Sequence, residues 1–87
     1  MPGSQNDALK LELKRLIVST CNKDINPEFI ADEAPLIGIH SVLGLDSLDV
    51  LQVNTALLQR FGVRIEDGKH ARRVMKSVNT LADFVEP

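Results

Sequence analysis

Tyrosine and tryptophan are absent from this chain, and phenylalanine occurs only three times. Single-strand nucleic-acid grooves need aromatic faces for base stacking, so none is expected. Positive charge is not in excess either. The formal net charge is −2, which removes a general electrostatic hold on phosphate backbones. The lone cysteine, Cys21, excludes an internal disulfide and a thiolate metal cluster. Such usage fits a reducing cytoplasm. No apolar run approaches the ~20 residues needed to cross a bilayer, so no stable membrane insertion is expected. The opening MPGSQNDALK has no basic segment followed by an apolar one, so no secretory signal is read there. With 87 residues, one domain is expected over 1–87, its first five residues a flexible tail.

What is present is helical periodicity. In NDALKLELKRLIVSTCNK, Leu9, Leu13, Leu16, Ile17 and Thr20 follow three-and-four spacing. Lys10, Lys14 and Arg15 fall on other faces, and Asn6 or Asp7 is placed to cap. Pro27 ends this pattern. A long connection follows, roughly from Asp24 to Asp46. It is too rich in Phe29, Ile30, Leu36, Ile37, Ile39, Val42 and Leu43 to be disordered, and is expected to pack over the helices with a helical turn near PEFIADEA. A second helix is predicted from Ser47 to about Phe61. Asp46 is its N-cap, Asp49 completes a short-armed capping box, and Gly62 stops it. Val50, Val53, Leu57 and Phe61 share one face of it, and Leu48, Gln52, Thr55 and Gln59 the opposite one. Asn54 interrupts the apolar face and is expected to be hydrogen-bonded. A short third helix is read in VRIEDGKHARRVMK, with Asp67 near its start. A last helix is read in SVNTLADFVEP, capped by Ser77. No strand pair is evident. The fold class is all-α: a four-helix bundle with three longer helices, one short one and a long loop between the first and second.

The stretch VLGLDSLDVLQV sets Ser47 between acidic residues at the head of an apolar helix. Asp46 and Asp49 are where any helix start favours negative charge, so Ser47 can be a plain surface residue. A nucleophilic serine needs an oriented base. The two histidines, His40 and His70, have no spacing that brings either to Ser47, and no strand precedes it to form a nucleophile elbow. Covalent attachment is the third option. A phosphate ester at a helix N-terminus lies against free backbone N–H groups. Gly44 permits close approach by a modifying enzyme, and Leu48 offers an apolar contact beside it.

LGLDSLDVLQVNTALLQRFGVRI, positions 43–65, resembles an acyl carrier protein around its modified serine. The Asp46-Ser47-Leu48 core matches the family's attachment motif, with Gly44-Leu45 before it and Phe61-Gly62-Val63 closing the helix. The likeness covers the order of helices along nearly the whole chain. APLIG, positions 34–38, is similar to a loop of carriers in specialised polyketide-like or aryl-polyene-type pathways. The resemblance implies a four-helix bundle of acyl-carrier type, and a non-catalytic carrier rather than an enzyme. A phosphopantetheinyl transferase would place 4′-phosphopantetheine from coenzyme A on Ser47, flanked by Gly44, Leu45, Asp46 and Leu48. Acyl groups would travel as thioesters to loading, condensing and modifying enzymes. Cys21 would not be the working thiol. Val50, Asn54, Leu57, Val74 and Met75 are the residues expected to line an acyl pocket, where a polar Asn54 would favour shorter or more polar cargo. Leu48, Asp49, Gln52, Thr55, Gln59, Lys69, Arg72 and Arg73 are those expected to meet partners. A monomer is expected.

The chain departs from the family in charge. After Asp49 the second helix has no acidic residue, and Lys69, His70, Arg72, Arg73 and Lys76 stand where the family is often acidic. Complementary charge governs encounter and rejection of partners, so a dedicated pathway is expected rather than bulk fatty-acid synthesis. Alternatively, the basic residues are solvated charges, with Asp67 pairing weakly with Arg72 or Arg73. Two other functions remain open: an aminoacyl or peptidyl carrier, against which Asp46 argues mildly, and a small helical interaction module using the basic 69–76 segment.

Overall fold

The computed structural model describes residues 2–38, 41 and 43–87. His40, Ile39 and Val42 lie outside them. Four α-helices follow in chain order: α1 (Asp7–Thr20), α2 (Ser47–Phe61), α3 (Gly68–Val74) and α4 (Val78–Val85), with 3-10 turns at Gly3–Gln5 and Pro27–Phe29. Among the described residues there is no strand; Ile37 and Leu45 form an isolated parallel bridge. No helix there is long and apolar enough to cross a membrane. The molecule is a small all-α domain.

Each helix starts where its sequence supplies an acceptor. Asn6 takes the amide of Leu9, Asp46 that of Asp49, Asp67 that of His70 and Ser77 that of Thr80. These side chains satisfy amides that a helix start leaves without intrahelical partners. Thr80 also donates to the carbonyl of Val74 (2.8 Å), which ties the end of α3 to the start of α4. Gly62 closes α2 at φ 71°, a left-handed conformation that suits glycine. The core gathers Leu13 and Ile17 of α1, Val53 and Leu57 of α2, Val74 and Met75 at the end of α3, and Val78 and Leu81 of α4.

Lys10 and Lys14 lie off the apolar stripe of α1 but are covered from solvent, their side chains 10% and 13% exposed. The long loop folds over that side of α1 because Ile30 and Leu36 are buried, and this delivers Asp32 to it. Lys10 and Lys14 reach the Asp32 carboxylate at 2.8 and 2.7 Å, and Lys10 is buried. The Asp32 carbonyl also accepts from the amide of Asn79 in the first turn of α4 (3.0 Å).

The expected flexible tail is corrected: residues 2–5 are docked against the C-terminal end of the domain. Gly3 is buried, its amide donates to the Glu86 carbonyl (2.6 Å), and the Ser4 amide donates to Asp83 Oδ1 (2.9 Å). A Cβ at Gly3 would run into the Ala82 carbonyl. Gly3→Ala is therefore expected to lower stability by about 2 kcal/mol through overpacking. The check is a urea denaturation midpoint together with hydrogen exchange at residue 3. An unshifted midpoint would mean that the dock contributes nothing.

Candidate functional site

Ser47 is held in place by the residues before it. Leu45 is buried and acts as an anchor. Its amide donates to the Leu36 carbonyl and its carbonyl accepts from Gly38 N, both at 3.2 Å. Gly44 turns the chain at φ 58°, and its amide donates to Ser41 Oγ (2.8 Å). Asp46 then begins α2. Its Oδ1 accepts from Asp49 N (2.9 Å), while Asp49 Oδ2 accepts from Asp46 N (3.2 Å). The capping box is closed on both sides.

Ser47 is thus the first helical residue, and it is exposed. Among the described residues its Oγ has no hydrogen-bond partner, and no acceptor meets the amides of Ser47 and Leu48. Ser47 stands on the rim of a cleft of about 490 Å³ between α2 and α3. Ile37, Val50, Leu51, Ile65 and Ala71 give that cleft its apolar wall, and Glu66, Asp67 and Arg72 its charged edge. Gly68 opens the mouth, since a Cβ there would meet nothing within 4 Å.

Comparison with protein-family models and with curated protein sequences returns no significant match.

Of the five residues expected to line a pocket, Val50 and Asn54 line the cleft. Leu57, Val74 and Met75 belong to the core and are closed to solvent. The short helix α3 turns Ala71 and Arg72 to the cleft, while Val74 and Met75 at its end are buried in the core. Ile37, Ile65 and Ala71 were not singled out by sequence. Their placement depends on how the two connections fold back, and periodicity within one helix does not carry that.

Asn54 is hydrogen-bonded, as its position on an apolar face suggested. Its Nδ2 donates to the Ile65 carbonyl (3.1 Å) and its Oδ1 accepts from Ile65 N (2.8 Å). The side-chain amide thus acts as one rung of a strand, clasping the α2–α3 connection to α2. Its polar atoms are committed to that clasp, so Asn54 shapes the cleft chiefly by fixing Ile65. Asn54→Leu keeps similar bulk and removes both bonds. A loss of about 2 kcal/mol is expected, since a buried backbone pair is left without partners. Chemical denaturation would measure it, and a change under a few tenths of a kcal/mol would show the clasp to be incidental.

The residues expected to meet partners divide in two. Leu48, Gln52, Thr55, Gln59, Lys69, Arg72 and Arg73 are exposed. Asp49 is turned inward: its side chain is 16% exposed, closes the capping box and lies 3.4 Å from Lys23 Nζ. It positions the start of α2 rather than offering a free charge. Leu51 and Leu58 were missed as surface residues, although they stand three and ten positions after Leu48 on the same face. Among the described residues, Asp67 makes no ion pair with Arg72 or Arg73; its carboxylate caps α3 instead.

Neither of the other two candidate groups joins Ser47. His70 Nδ1 accepts from the Glu66 amide, and its ring packs edge-on against Phe84. Cys21 is buried, its Sγ 3.8 Å from the Asp49 carbonyl. Burial, and next the Asp49 carboxylate, push its thiol up to about 11. Among the described residues no cluster of His, Cys, Asp and Glu has the arrangement of a metal site.

Proposed function

We propose that the chain is a non-catalytic acyl carrier whose Ser47 bears 4′-phosphopantetheine and presents acyl intermediates to the enzymes of a fatty-acid-like or specialised, polyketide-like pathway. The observation that carries this reading is the setting of Ser47. Its hydroxyl is exposed, unbonded among the described residues, held by a closed capping box, and placed on the rim of a largely apolar cleft.

The residues present fit a phosphodiester arm. The amides of Ser47 and Leu48, unbonded among the described residues, and the positive end of the α2 dipole suit a phosphate joined to Ser47 Oγ. When bound, the group supplies a terminal thiol that carries acyl chains as thioesters. The chain's own work is to present and to orient. Leu45, Gly44 and the Asp46–Asp49 box hold the serine outward, Leu48 beside it gives a modifying enzyme an apolar contact, and the cleft offers apolar shelter. In this reading the phosphopantetheinyl transferase accepts the serine proton; of the described residues, His70 is engaged elsewhere. In this reading the protein acts in the cytoplasm as a monomer.

The test is intact-protein mass spectrometry after incubation with coenzyme A and a broad-specificity phosphopantetheinyl transferase. A gain of one phosphopantetheine unit is expected, localised to Ser47 by fragmentation. No gain with several transferases would sink the carrier reading.

A further inference from the structure

Among the described residues, three of the four exposed large apolar side chains lie on α2; the fourth, Phe29, is in the Pro27–Phe29 turn. Leu48, Leu51 and Leu58 are 61%, 60% and 48% exposed. With Thr55 between them they follow a three-four-three spacing, which makes one stripe along α2. Grouped exposure of this kind marks an interaction surface more often than scattered leucines do. The stripe is uncharged: from Val50 to Gln59 the helix has no ionisable residue.

The neighbouring element is charged, and in one sense. From Arg64 to Lys76 five cations outnumber two carboxylates. Lys69, Arg72, Arg73 and Lys76 are exposed, and among the described residues none forms an ion pair. The helix dipole favours Arg72 and Arg73 in the last turn of α3 but disfavours Lys69 in its first turn. Helix stability therefore does not account for the whole cluster. Leu51 and Arg72 line the same cleft, so the stripe meets the cationic helix at Arg72; Lys69, Arg73 and Lys76 lie three before, one after and four after it in sequence.

We infer that the α2–α3 face docks on a protein surface that offers an apolar groove to Leu48, Leu51 and Leu58 and a row of carboxylates to Lys69, Arg72, Arg73 and Lys76. The inference rests on the carrier reading, since it names the surface presented by enzymes that act at Ser47. An anionic bilayer fits less well. Asp46, Glu66 and Asp67 are exposed at the Ser47 end of this face, and a uniformly anionic surface would repel them. A protein can set its acids against α3 alone. A second copy of the chain fits less well too, because its own α2 stripe brings no exposed acidic row.

The test uses the unmodified full chain, labelled with ¹⁵N, and two synthetic helical peptides. Both peptides have the same leucine stripe; one is flanked by glutamates and the other by lysines. Vesicles of phosphatidylserine and phosphatidylcholine are the third probe. The glutamate peptide is expected to shift amides of α2 and α3, to bind about tenfold tighter than the lysine peptide, and to weaken as salt rises. The double variant R72E/R73E should reverse the preference. Leu51→Ala with Leu58→Ala should weaken both peptides while circular dichroism stays unchanged, since both side chains are exposed. Equal or tighter binding of the lysine peptide would overturn the inference. So would shifts confined to other helices, vesicle binding without discrimination between the peptides, or concentration-dependent broadening of α2 amides in the free protein, which would assign the stripe to a second copy. None of these readouts needs Ser47 to be modified. A failed docking surface and a failed carrier are therefore told apart.

Discussion

Ser47→Ala is expected to remove phosphopantetheine incorporation entirely while leaving the fold within about 0.5 kcal/mol of the parent. Two features separate the chemistry from the stability. The side chain makes no hydrogen bond among the described residues, so no partner is orphaned. The helix start is held by Asp46 and Asp49, and alanine is favourable at a first helical position. Asp46→Ala should behave the other way. It loses a capping acceptor, at a cost of about 1 kcal/mol, yet keeps the hydroxyl, so incorporation should slow without vanishing. Mass spectrometry over a time course and urea denaturation of the same preparations would separate the two effects. Residual incorporation in Ser47→Ala would place the attachment elsewhere. A large stability loss in that variant would show Ser47 to be structural.

Asp32→Ala is expected to be the most destabilising of the polar substitutions, by about 2–3 kcal/mol. It leaves Lys10 and Lys14, whose side chains are 10% and 13% exposed, with their shared carboxylate gone. The figure lies below that for a fully enclosed pair because the Asp32 side chain is itself 32% exposed. The pH dependence has a definite sign. Hydrogen bonds from Lys10 first, then Lys14, hold the Asp32 carboxyl below its ordinary 3.8. Its stabilisation is therefore present above pH 3.8 and lost as pH falls through the lower folded value. The same bond holds the Lys10 ammonium above its ordinary 10.5 against the opposing effect of burial. That contribution is present below pH 10.5 and lost as pH rises through the raised value. The parent should thus lose stability at both extremes, and Asp32→Ala should flatten both limbs of the curve. Denaturation midpoints across the pH range would show it, and parallel curves for parent and variant would refute it. The effect reaches the site, because the same loop supplies Leu36 and Gly38, which seat Leu45 two residues before Ser47.

Local chemistry was legible in the sequence, and tertiary placement was not. Asp46 with Asp49, Asp67, Ser77 and Gly62 announce their helix ends through side-chain acceptors and backbone freedom, and all five stand where they were read. The exposed row Leu48, Gln52, Thr55 and Gln59 followed from periodicity alone. A helical wheel sets Lys10 and Lys14 off the apolar stripe but does not show what folds over them. The dock of Gly3 depends on carbonyls near the other end of the chain. The cleft was half legible: Val50 and Asn54 are on α2, whose phase is clear, whereas Ile37 and Ile65 come from connections without a period. Asn54 was flagged as a break in the pattern, but its partner is a backbone position that no side-chain pattern marks.

The raised thiol of Cys21 has a practical and a chemical consequence. With a value near 11, only roughly one such thiol in ten thousand is ionised at pH 7, and the thiolate is the reactive form. Cys21 in the native chain is therefore expected to react slowly with alkylating reagents, and a thiol that titrates quickly in the folded protein is expected to be one added to it. The buried sulfur becomes a clock for opening of the α1–α2 seam, because alkylation proceeds at the pace at which that seam exposes it. In the proposed carrier, the same slow reactivity would spare a thioester from capture by the protein's own side chain.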